Sequence, residues 1–289
     1  MKQDKLRITV AIPACNAEKY LKRNISGIKD LDPKPSRIIV IDDGSIDNTP
    51  KVLAEFPDVV VITHEKNMGL ASARNSALAQ CDTDIIAYFD SDTVPRKDFL
   101  EKIAACYRDE NIAGVGGKAI EAEAETLWDR WRSSRMRQEH SSGGDAMFLW
   151  GVCSSYRVDI LRSLGGFDID FRTNGEDIEI GTRLKNKGYR LIYEPSATVS
   201  HLKHDSLSSL TKAIYRWYYW GIIALSKNRK SFFINYLKII IKNPLRYFLQ
   251  KKWDECRLSF VLIDILAFAV EMTALVSASL KRVNQRINK

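Results

Sequence analysis

The sequence predicts an α/β fold, in which a mostly parallel β-sheet carries helices on both faces, followed by a helical C-terminal extension. The first observation is that short apolar, β-branched runs alternate with helical patterns through the first half of the chain. Continuous apolar strands separated by helices are typical of a parallel sheet that is covered on both sides. The second observation is that the composition turns aromatic, basic and aliphatic after residue 205. We therefore predict two domains, 1–205 and 206–289.

The first half of the chain supplies the regular elements in order. The predicted strands are Arg7–Ala14, Arg37–Asp42, Val59–His64 and Asp84–Phe89. The predicted helices are Ala17–Asp30, Asp47–Phe56, Leu70–Gln80 and Arg96–Arg108. The middle is less regular, with predicted strands at Ala113–Ile120, Tyr189–Tyr193 and Ala197–Ser200, helices at Trp128–His140 and Gly175–Gly188, and a loop at Ser141–Asp145.

Charge is distributed unevenly along the 289 residues, whose formal net charge is +8. From His201 to Lys289 there are 16 Lys and Arg but only 5 Asp and Glu, so the preceding part is slightly acidic. A basic tail suits an anionic partner, either membrane phosphates or nucleic acid. The five cysteines form no CxxC pair, which indicates reduced thiols rather than a zinc site or a disulfide framework.

Polar residues that directly follow the predicted strands are the candidates for function, because open parallel sheets bind ligands at the carboxyl ends of their strands. These residues are Pro13–Asn16, Asp42–Ser45, Glu65–Asn67 and Asp90–Asp92. The most unusual polar clusters of the chain therefore fall where the fold predicts a site.

Asp90 and Asp92 follow the fourth strand two positions apart, in a turn where both carboxylates can face one point. Mg²⁺ is typically held by one or two carboxylates together with substrate phosphates. A departing diphosphate needs its charge neutralised as its bond breaks. The alternative is a solvated turn with a helix-capping Asp, and the position after a buried strand favours the metal site.

Two further candidates lie at the same predicted edge. The Asp43 carboxylate can accept a hydrogen bond from a nucleobase N–H, or serve in a turn that caps the next helix. Arg74 lies one turn into a helix, where it can face a phosphate or a base, or pair with Asp43 or Asp90.

Glu176 and Asp177 begin a predicted helix. Acidic residues there are stabilised by the helix dipole, which is the structural interpretation. The functional interpretation is a general base that deprotonates an acceptor hydroxyl.

The ordered motifs IPACNAEKYL, DDGSIDNT, NMGLASARN, FDSD, GGFD and GED, followed by His201, resemble those of family 2 glycosyltransferases. The resemblance covers roughly residues 7–205. It implies a GT-A type, Rossmann-like fold, a nucleoside-diphosphate sugar donor, Mg²⁺ or Mn²⁺ as cofactor, and inversion at the anomeric carbon.

The resemblance also implies roles for the donor-binding residues by position. Pro13 and Asp43 would contact the nucleoside, with Arg74 nearby. Asp90 would contact the nucleotide.

For the reacting centre, the resemblance implies that Asp92 binds the metal on the diphosphate and that His201 completes the metal site. Asp177 would be the catalytic base, with Glu176 beside it.

Arg216 and Trp217 match the end of the QxxRW motif that processive members carry, but Ala213 replaces the Gln. The sequence also lacks multiple flanking membrane spans. We therefore expect transfer of one sugar or a few, with Arg216 and Trp217 on the acceptor or diphosphate side.

Leu258–Leu280 is 23 residues long, which is enough to span a bilayer. The favourable free energy of membrane insertion from its 12 Leu, Ile, Val and Phe residues nearly cancels the unfavourable free energy from Asp264 and Glu271. The segment can therefore be a membrane span, a helix in the membrane interface or a soluble helical extension. Basic residues before and after this segment suit anionic lipid, and no signal peptide is evident. We expect the protein at the cytoplasmic face of a membrane, peripheral or with one C-terminal segment, acting on a glycan or lipid-linked acceptor.

Three other functions fit the sequence less well. A sugar-1-phosphate nucleotidyltransferase would have a Gly-rich loop of the GxGTR type after the first strand. This chain has Pro13–Asn16 there, which argues against that function. An inactive scaffold would have lost a carboxylate from the DxD or GED motif, and neither is lost. A nucleic-acid binder needs a basic, otherwise polar face, whereas these basic residues alternate with aliphatic runs. The sequence therefore favours non-processive, metal-assisted sugar transfer in cell-surface polysaccharide or glycolipid assembly.

Overall fold

The computed structural model describes residues 6–227 and 257–287, so the predicted basic flank at Lys251 and Lys252 lies outside the described residues. The chain divides into two compact units. The first consists of Met1–Glu123 and Arg137–Lys203, and the second of Ala124–Met136 and His204–Lys289. The unit boundary at residue 203 lies close to the predicted domain boundary at 205. Ala124–Met136, however, groups with the C-terminal part and not with the domain in which the sequence places it.

Nine strands and six helices of the described residues make up the first unit. The strands are β1 Ile8–Ala14, β2 Arg37–Asp42, β3 Val60–Thr63, β4 Ile85–Phe89, β5 Thr93–Pro95, β6 Ile112–Glu121, β7 Gly144–Asp145, β8 Cys153–Arg157 and β9 Arg190–His201. The helices are α1 Leu21–Lys29, α2 Thr49–Leu53, α3 Leu70–Gln80, α4 Phe99–Ala104, α6 Val158–Ser163 and α7 Glu176–Asn186. The second unit contains α5 Leu127–Arg135, α8 Leu207–Lys227 and α9 Arg257–Ile287.

One sheet runs through the first unit in the order β3-β2-β1-β4-β8-β6-β9-β5, with β7 paired to β9. The first four strands in this order are parallel, as predicted. The strand β8 runs antiparallel to both β4 and β6, which makes the second half of the sheet mixed. The carboxyl ends of β1, β2, β3 and β4 consequently meet at one edge.

Both faces of the parallel half are covered by helices. Successive residues of β1 point to opposite faces, so Val10 packs with the α1 side chains Leu21 and Ile25. Ala11 packs on the other face with Ala73 and its neighbours on α3. The alternation explains why every residue of β1 is buried.

Several elements differ from the sequence prediction. The strand β9 is continuous through Pro195, where two strands were predicted. The strand β8 was not predicted because its residues CSSYR look polar, although Ser154 and Ser155 are fully buried. Ser155 Oγ donates a hydrogen bond to the Val115 carbonyl at 2.7 Å, which satisfies its hydroxyl inside the sheet.

The second unit is built on α8 and α9, which run in the same direction. Two apolar clusters join these helices. Near their first turns Leu210, Ile214, Ile263 and Ala267 share one cluster, and further along Ile222, Leu275 and Ala278 share another. Among the described residues, Ser259–Lys281 is the one segment long and apolar enough to cross a membrane by length and composition alone, and buried core helices of soluble proteins meet the same criterion.

Candidate active site

The loops after β1 and β2 are joined at the carboxyl edge of the sheet. The Asn16 backbone N–H donates to Ser45 Oγ at 2.9 Å, and Asn16 Oδ1 accepts from the Ile46 N–H at 2.9 Å. Asn16 has a left-handed φ of 52°, which Asn tolerates better than most residues. Pro13 lies in β1 beside Ile41 and is buried.

Asp43 organises the loop that leads into α3. Its Oδ1 accepts from the Met68 N–H at 2.8 Å, and its Oδ2 accepts from the Gly69 N–H at 2.8 Å. Gly69 has φ 97° and lies against Arg172, so a side chain there would be strained and crowded. Asp43 is 3% exposed. The Asp43 carboxylate therefore holds the loop before α3 in place. Its predicted contact with a nucleobase stays a prediction.

His64 is part of this cluster, although the sequence analysis did not select it. Its Nδ1 lies 2.6 Å from Asp43 Oδ1, and its Nε2 lies 2.9 Å from Ser76 Oγ on α3. His64 immediately follows β3, so the rule that selected Asp43 and Asp90 could have found it.

Arg74 lies at the centre of the site with no side-chain exposure. Its Nη1 is 2.9 Å from Glu176 Oε1, and its Nη2 is 2.9 Å from the Gly151 carbonyl and 3.5 Å from Asp90 Oδ1. Burial works to lower the pKa of Arg74, but the charges of Glu176 and Asp90 outweigh it, so the guanidinium stays charged. The predicted pairing with Asp90 is present. Its predicted place in the donor-binding site stays a prediction.

Glu176 and Asp177 begin α7 but point to different partners. Glu176 is 2% exposed, and burial raises its pKa to about 8 despite the nearby Arg74 charge. Asp177 is partly exposed, and its Oδ2 accepts from the Gly151 N–H at 3.1 Å. Burial also raises the pKa of Asp177, with Arg74 opposing. Gly151 thus contacts both Arg74 and Asp177, a link that nothing in the sequence indicated.

Asp92 and His201 are brought together by the pairing of β5 with β9. Thr93 lies opposite His201 in the register, and the Leu202 N–H donates to the Asp92 carbonyl at 2.8 Å. His201 Nε2 lies 3.4 Å from Asp92 Oδ2, and His201 Nδ1 lies 3.0 Å from Glu121 Oε1. Burial works to lower the pKa of His201, but the carboxylates of Asp92 and Glu121 outweigh it and raise the pKa to about 9.

The Asp92 and His201 pair fits a divalent ion on the chemistry of its donor atoms. Two atoms 3.4 Å apart can both bind an ion at metal–ligand distances of about 2.0–2.2 Å. The Glu121 carboxylate on the far ring nitrogen is the partner that metal-binding histidines usually have. Among the residues that the structure describes, no group of three His, Cys, Asp or Glu could hold a metal, so this pair alone does not make a complete metal site.

Arg216 and Trp217 lie on α8 in the second unit. Arg216 is exposed, whereas Trp217 packs partly buried in the apolar cluster with Leu210 and Ile214. Their predicted place on the acceptor or diphosphate side stays a prediction.

The chain is similar to known glycosyltransferases in sequence. The model of glycosyl transferase family 2 matches residues 9–165, more than half of the chain. A pre-mycofactocin glycosyltransferase of Mycobacterium tuberculosis is 32% identical over 228 residues, covering 74% of this chain and 46% of that protein. A poly-β-1,6-N-acetyl-D-glucosamine synthase of Staphylococcus aureus is 25% identical over 221 residues, covering 73% and 53%. The chain spans about half the length of these curated relatives.

Solved structures share the fold at low sequence identity. A mannosyltransferase of Pyrobaculum calidifontis, solved with GDP-Man and Mn²⁺, has a TM-score of 0.61 and 18% identity, covering 96% of this chain and 76% of that one. TarS of S. aureus, solved with UDP, has a TM-score of 0.54 and 17% identity, covering 73% and 64%.

Proposed function

Because the chain belongs to glycosyl transferase family 2 and has its GT-A type fold, we propose that it moves a sugar from a nucleoside-diphosphate donor to an acceptor hydroxyl by one metal-assisted displacement with inversion. The observation that carries the proposal is that Asp90, at the carboxyl edge of the sheet, has the buried Arg74, Asp92 and Asp177 as charged neighbours. The proposed catalytic residues and the proposed donor-binding residues then lie at the same carboxyl edge of the sheet, which is where open α/β sheets bind their ligands.

Asp177 is the general base of this proposal. It takes the proton from the acceptor hydroxyl as that oxygen attacks the anomeric carbon. Its pKa is raised by burial, which brings a carboxylate closer to the range where proton transfer at neutral pH is efficient. Glu176 is a positioning residue, since it contacts Arg74 and is buried from any substrate.

Asp92 and His201 would hold Mg²⁺ or Mn²⁺, and Asp90 would contact the nucleotide. The ion, when bound, neutralises charge on the departing diphosphate. Neutral imidazole is the form that binds metal, so ion binding at His201 competes with the proton that its raised pKa retains. The P. calidifontis mannosyltransferase solved with GDP-Man and Mn²⁺ supports this choice of cofactor and donor.

The relatives and structural neighbours support a class of donor nucleotide and a class of acceptor. GDP-Man and UDP in structural neighbours are consistent with a guanosine or uridine donor. The pre-mycofactocin glycosyltransferase and the poly-β-1,6-N-acetyl-D-glucosamine synthase among the relatives support a glycan or lipid-linked acceptor. Ala213 in place of the Gln of QxxRW supports transfer of one sugar or a few, with Arg216 and Trp217 near the acceptor or diphosphate.

The proposed location is the cytoplasmic face of a membrane with anionic lipid. The apolar helix Ser259–Lys281 and the basic composition of the C-terminal part support it. Nucleic acid is not a proposed partner.

The test combines donor binding with turnover. Melting temperature is measured against UDP-, GDP- and dTDP-sugars with and without Mn²⁺, and sugar transfer is then assayed with the stabilising donor. We expect a metal-dependent rise for one nucleotide, and loss of transfer in Asp92→Asn and Asp177→Asn proteins. Asp82→Asn, an exposed carboxylate before β4, is the matched control. Folded Asp92→Asn and Asp177→Asn proteins that transfer sugar at the wild-type rate would refute the proposal.

The same panel separates the rival functions. A nucleotidyltransferase would release pyrophosphate from a nucleoside triphosphate and a sugar 1-phosphate. An inactive scaffold would bind a donor without transfer or hydrolysis.

A further inference from the structure

The helix α9 has one long exposed face without a charged residue. Between Ser259 and Lys281 the exposed side chains are Leu262, Ile265, Leu266, Phe268, Ala269, Thr273, Val276 and Leu280, which we call the apolar face. Leu262, Ile265 and Leu280 are each at least 60% exposed. Their spacing returns to the same side of the helix every three or four residues. From Leu262 to Leu280 the face is about 27 Å long.

The one polar residue of the apolar face has its hydroxyl satisfied within the helix. Thr273 Oγ1 donates to the Ala269 carbonyl at 2.9 Å. Ser279 at its margin donates likewise to the Leu275 carbonyl at 2.7 Å. The face therefore presents no polar side-chain group that needs water, which is a requirement for contact with hydrocarbon.

Both acids of the segment lie away from the apolar face. Asp264 Oδ1 accepts from Trp131 Nε1 at 2.8 Å, and Asp264 Oδ2 accepts from Arg135 Nη2 at 3.2 Å. Glu271 is 4% exposed, its pKa is raised to about 7 by burial, and Tyr218 hydrogen-bonds it. Asp264 and Glu271, whose cost nearly cancels the favourable insertion free energy of this segment, are thus covered by α5 and α8.

The helices on the other side of α9 do not suit hydrocarbon. The α8 helix exposes Lys212 and Arg216 along its length. Arg132 of α5 forms a buried ion pair with Asp205 before α8, at 2.6 Å. If α9 crossed a bilayer, these neighbours would enter the membrane beside it, where exposed charged side chains are costly.

We propose that α9 docks in the plane of one leaflet, with its apolar face against the lipid acyl chains and with α5 and α8 on the water side. An apolar face opposite a charged one is the arrangement of helices that lie in the membrane interface. Lys281, at one end of the face, lies 5.0 Å from the ring centre of Trp220 and 5.9 Å from that of Tyr219. Aromatic rings beside a cation are typical of the headgroup level. The partner is a lipid surface, and the inference is independent of sugar transfer.

Insertion depth distinguishes an in-plane helix from a spanning one. An environment-sensitive fluorophore is attached to the full-length protein at Leu262→Cys, Ala269→Cys or Val276→Cys. The background carries Cys15→Ser, Cys106→Ser and Cys256→Ser, and the remaining Cys81 and Cys153 are buried. Vesicles of phosphatidylcholine and phosphatidylglycerol carry spin labels near the headgroup or near the chain end. We expect equal, shallow quenching depth at all three positions.

Two depth results would overturn the proposal. A profile that is deepest at Ala269→Cys and shallow at both ends means that α9 spans the bilayer. A fluorophore already shielded from water without vesicles means that another part of this chain, or a second copy, covers the face.

Partition of variants into vesicles gives an independent readout. Ile265→Ser with Val276→Ser should reduce binding about tenfold or more, because two buried aliphatic side chains are lost. The matched control, Lys212→Gln with Lys227→Gln, changes exposed charges on α8. It should lower binding to anionic vesicles only modestly and leave binding to neutral vesicles unchanged.

A second copy is the competing occupant of the apolar face. If the wild-type protein fails to bind vesicles and sediments as a dimer that Ile265→Ser with Val276→Ser dissociates, the proposal is overturned. Sugar transfer to a soluble acceptor, or donor hydrolysis, should be unchanged by the variants, so a failure here leaves the glycosyltransferase proposal untouched.

Discussion

The guanidinium of Arg74 lies 2.9 Å from Glu176 Oε1, with at most 3% of either side chain exposed. This contact joins α3, which follows the loop held by Asp43, to the start of α7, which carries Asp177. The same guanidinium binds the Gly151 carbonyl, and the Gly151 N–H binds Asp177. One buried cation therefore connects the residues around the proposed reaction.

Replacing Arg74 by Lys should lower kcat about 100-fold with little change in KM for the donor. A single ammonium cannot reproduce the fork that reaches Glu176, Gly151 and Asp90, and small misplacements of reacting groups have effects of this size. Steady-state kinetics at saturating acceptor measures both constants. Arg96→Lys, at an exposed ion pair, is the control. A large rise in KM with unchanged kcat would instead show direct donor contact by Arg74.

Stability should fall between about pH 4.5 and pH 8 through the titration of Glu176. Burial raises the pKa of Glu176 from its ordinary value of 4.5 to about 8, so the folded protein retains a proton that the unfolded chain releases. The stabilising contribution is complete below pH 4.5 and is lost as the pH rises through 8. Urea unfolding at several pH values measures it. Glu176→Gln should flatten this slope, whereas the exposed Glu110→Gln should keep it.

Asp43→Asn should weaken donor nucleotide binding about tenfold. The amide nitrogen that replaces one oxygen cannot accept a hydrogen bond, so the N–H of Met68 or Gly69 loses its buried partner, at a cost of about 1–3 kcal/mol. Calorimetric titration with the nucleoside diphosphate gives the dissociation constant. The partly exposed Asp47→Asn is the comparison, and equal affinities in the two variants would contradict the role given to Asp43.

Gly151→Ala should reduce kcat while the protein stays folded. A Cβ at this position would lie 2.7 Å from Arg74 Nη2 and 3.2 Å from Glu176 Oε1, so the guanidinium must move. Gly143→Ala, where the Cβ meets Pro195 at 3.0 Å on an exposed loop, should leave kcat unchanged. Circular dichroism confirms folding before the rates are compared. Wild-type kcat in Gly151→Ala would show that the Arg74 position is not critical.

Glu121→Gln should weaken Mn²⁺ binding about 10- to 100-fold, the usual effect of changing the partner of a metal-binding histidine. The amide orients His201 less strongly than the carboxylate 3.0 Å from its Nδ1. Electron paramagnetic resonance of free Mn²⁺ in the presence of nucleoside diphosphate measures the affinity. Glu123→Gln, whose carboxylate pairs with Arg23, serves as the control. Unchanged affinity in Glu121→Gln would remove His201 from the metal site.

Much of the fold could be predicted because its first half has strong local signals. β2 and α3 were predicted to the residue, since β-branched runs and helical spacing are properties of neighbouring residues. The sequence did not predict β8 because its residues look polar, whereas the buried Ser155 hydroxyl is satisfied by a distant partner: Ser155 Oγ donates to the carbonyl of Val115, 40 residues away. A polar residue that is satisfied in the fold is indistinguishable in sequence from one that faces water.

The site residues also divide into those that local sequence could identify and those that depend on distant partners. Asp43 and Asp90 could be selected because each follows a strand directly, and Asp92 because it lies two positions after Asp90. Glu121 and Gly151 could not, because their importance comes from His201, which is 80 residues from Glu121, and from Arg74, which is 77 residues from Gly151. Burial of Arg74 was equally invisible, since a lone Arg on a helix is usually exposed.

The pairing of β5 with β9 fixes the backbone on either side of the proposed metal ligands, with Thr93 opposite His201 and the Leu202 N–H on the Asp92 carbonyl. Folding of the sheet, and not arrival of the ion, therefore brings the carboxylate and the imidazole to a common point. A cation bound as proposed would meet a preassembled pair of ligands, so its affinity would depend on dehydration and on the donor oxygens rather than on the entropy of closing a loop.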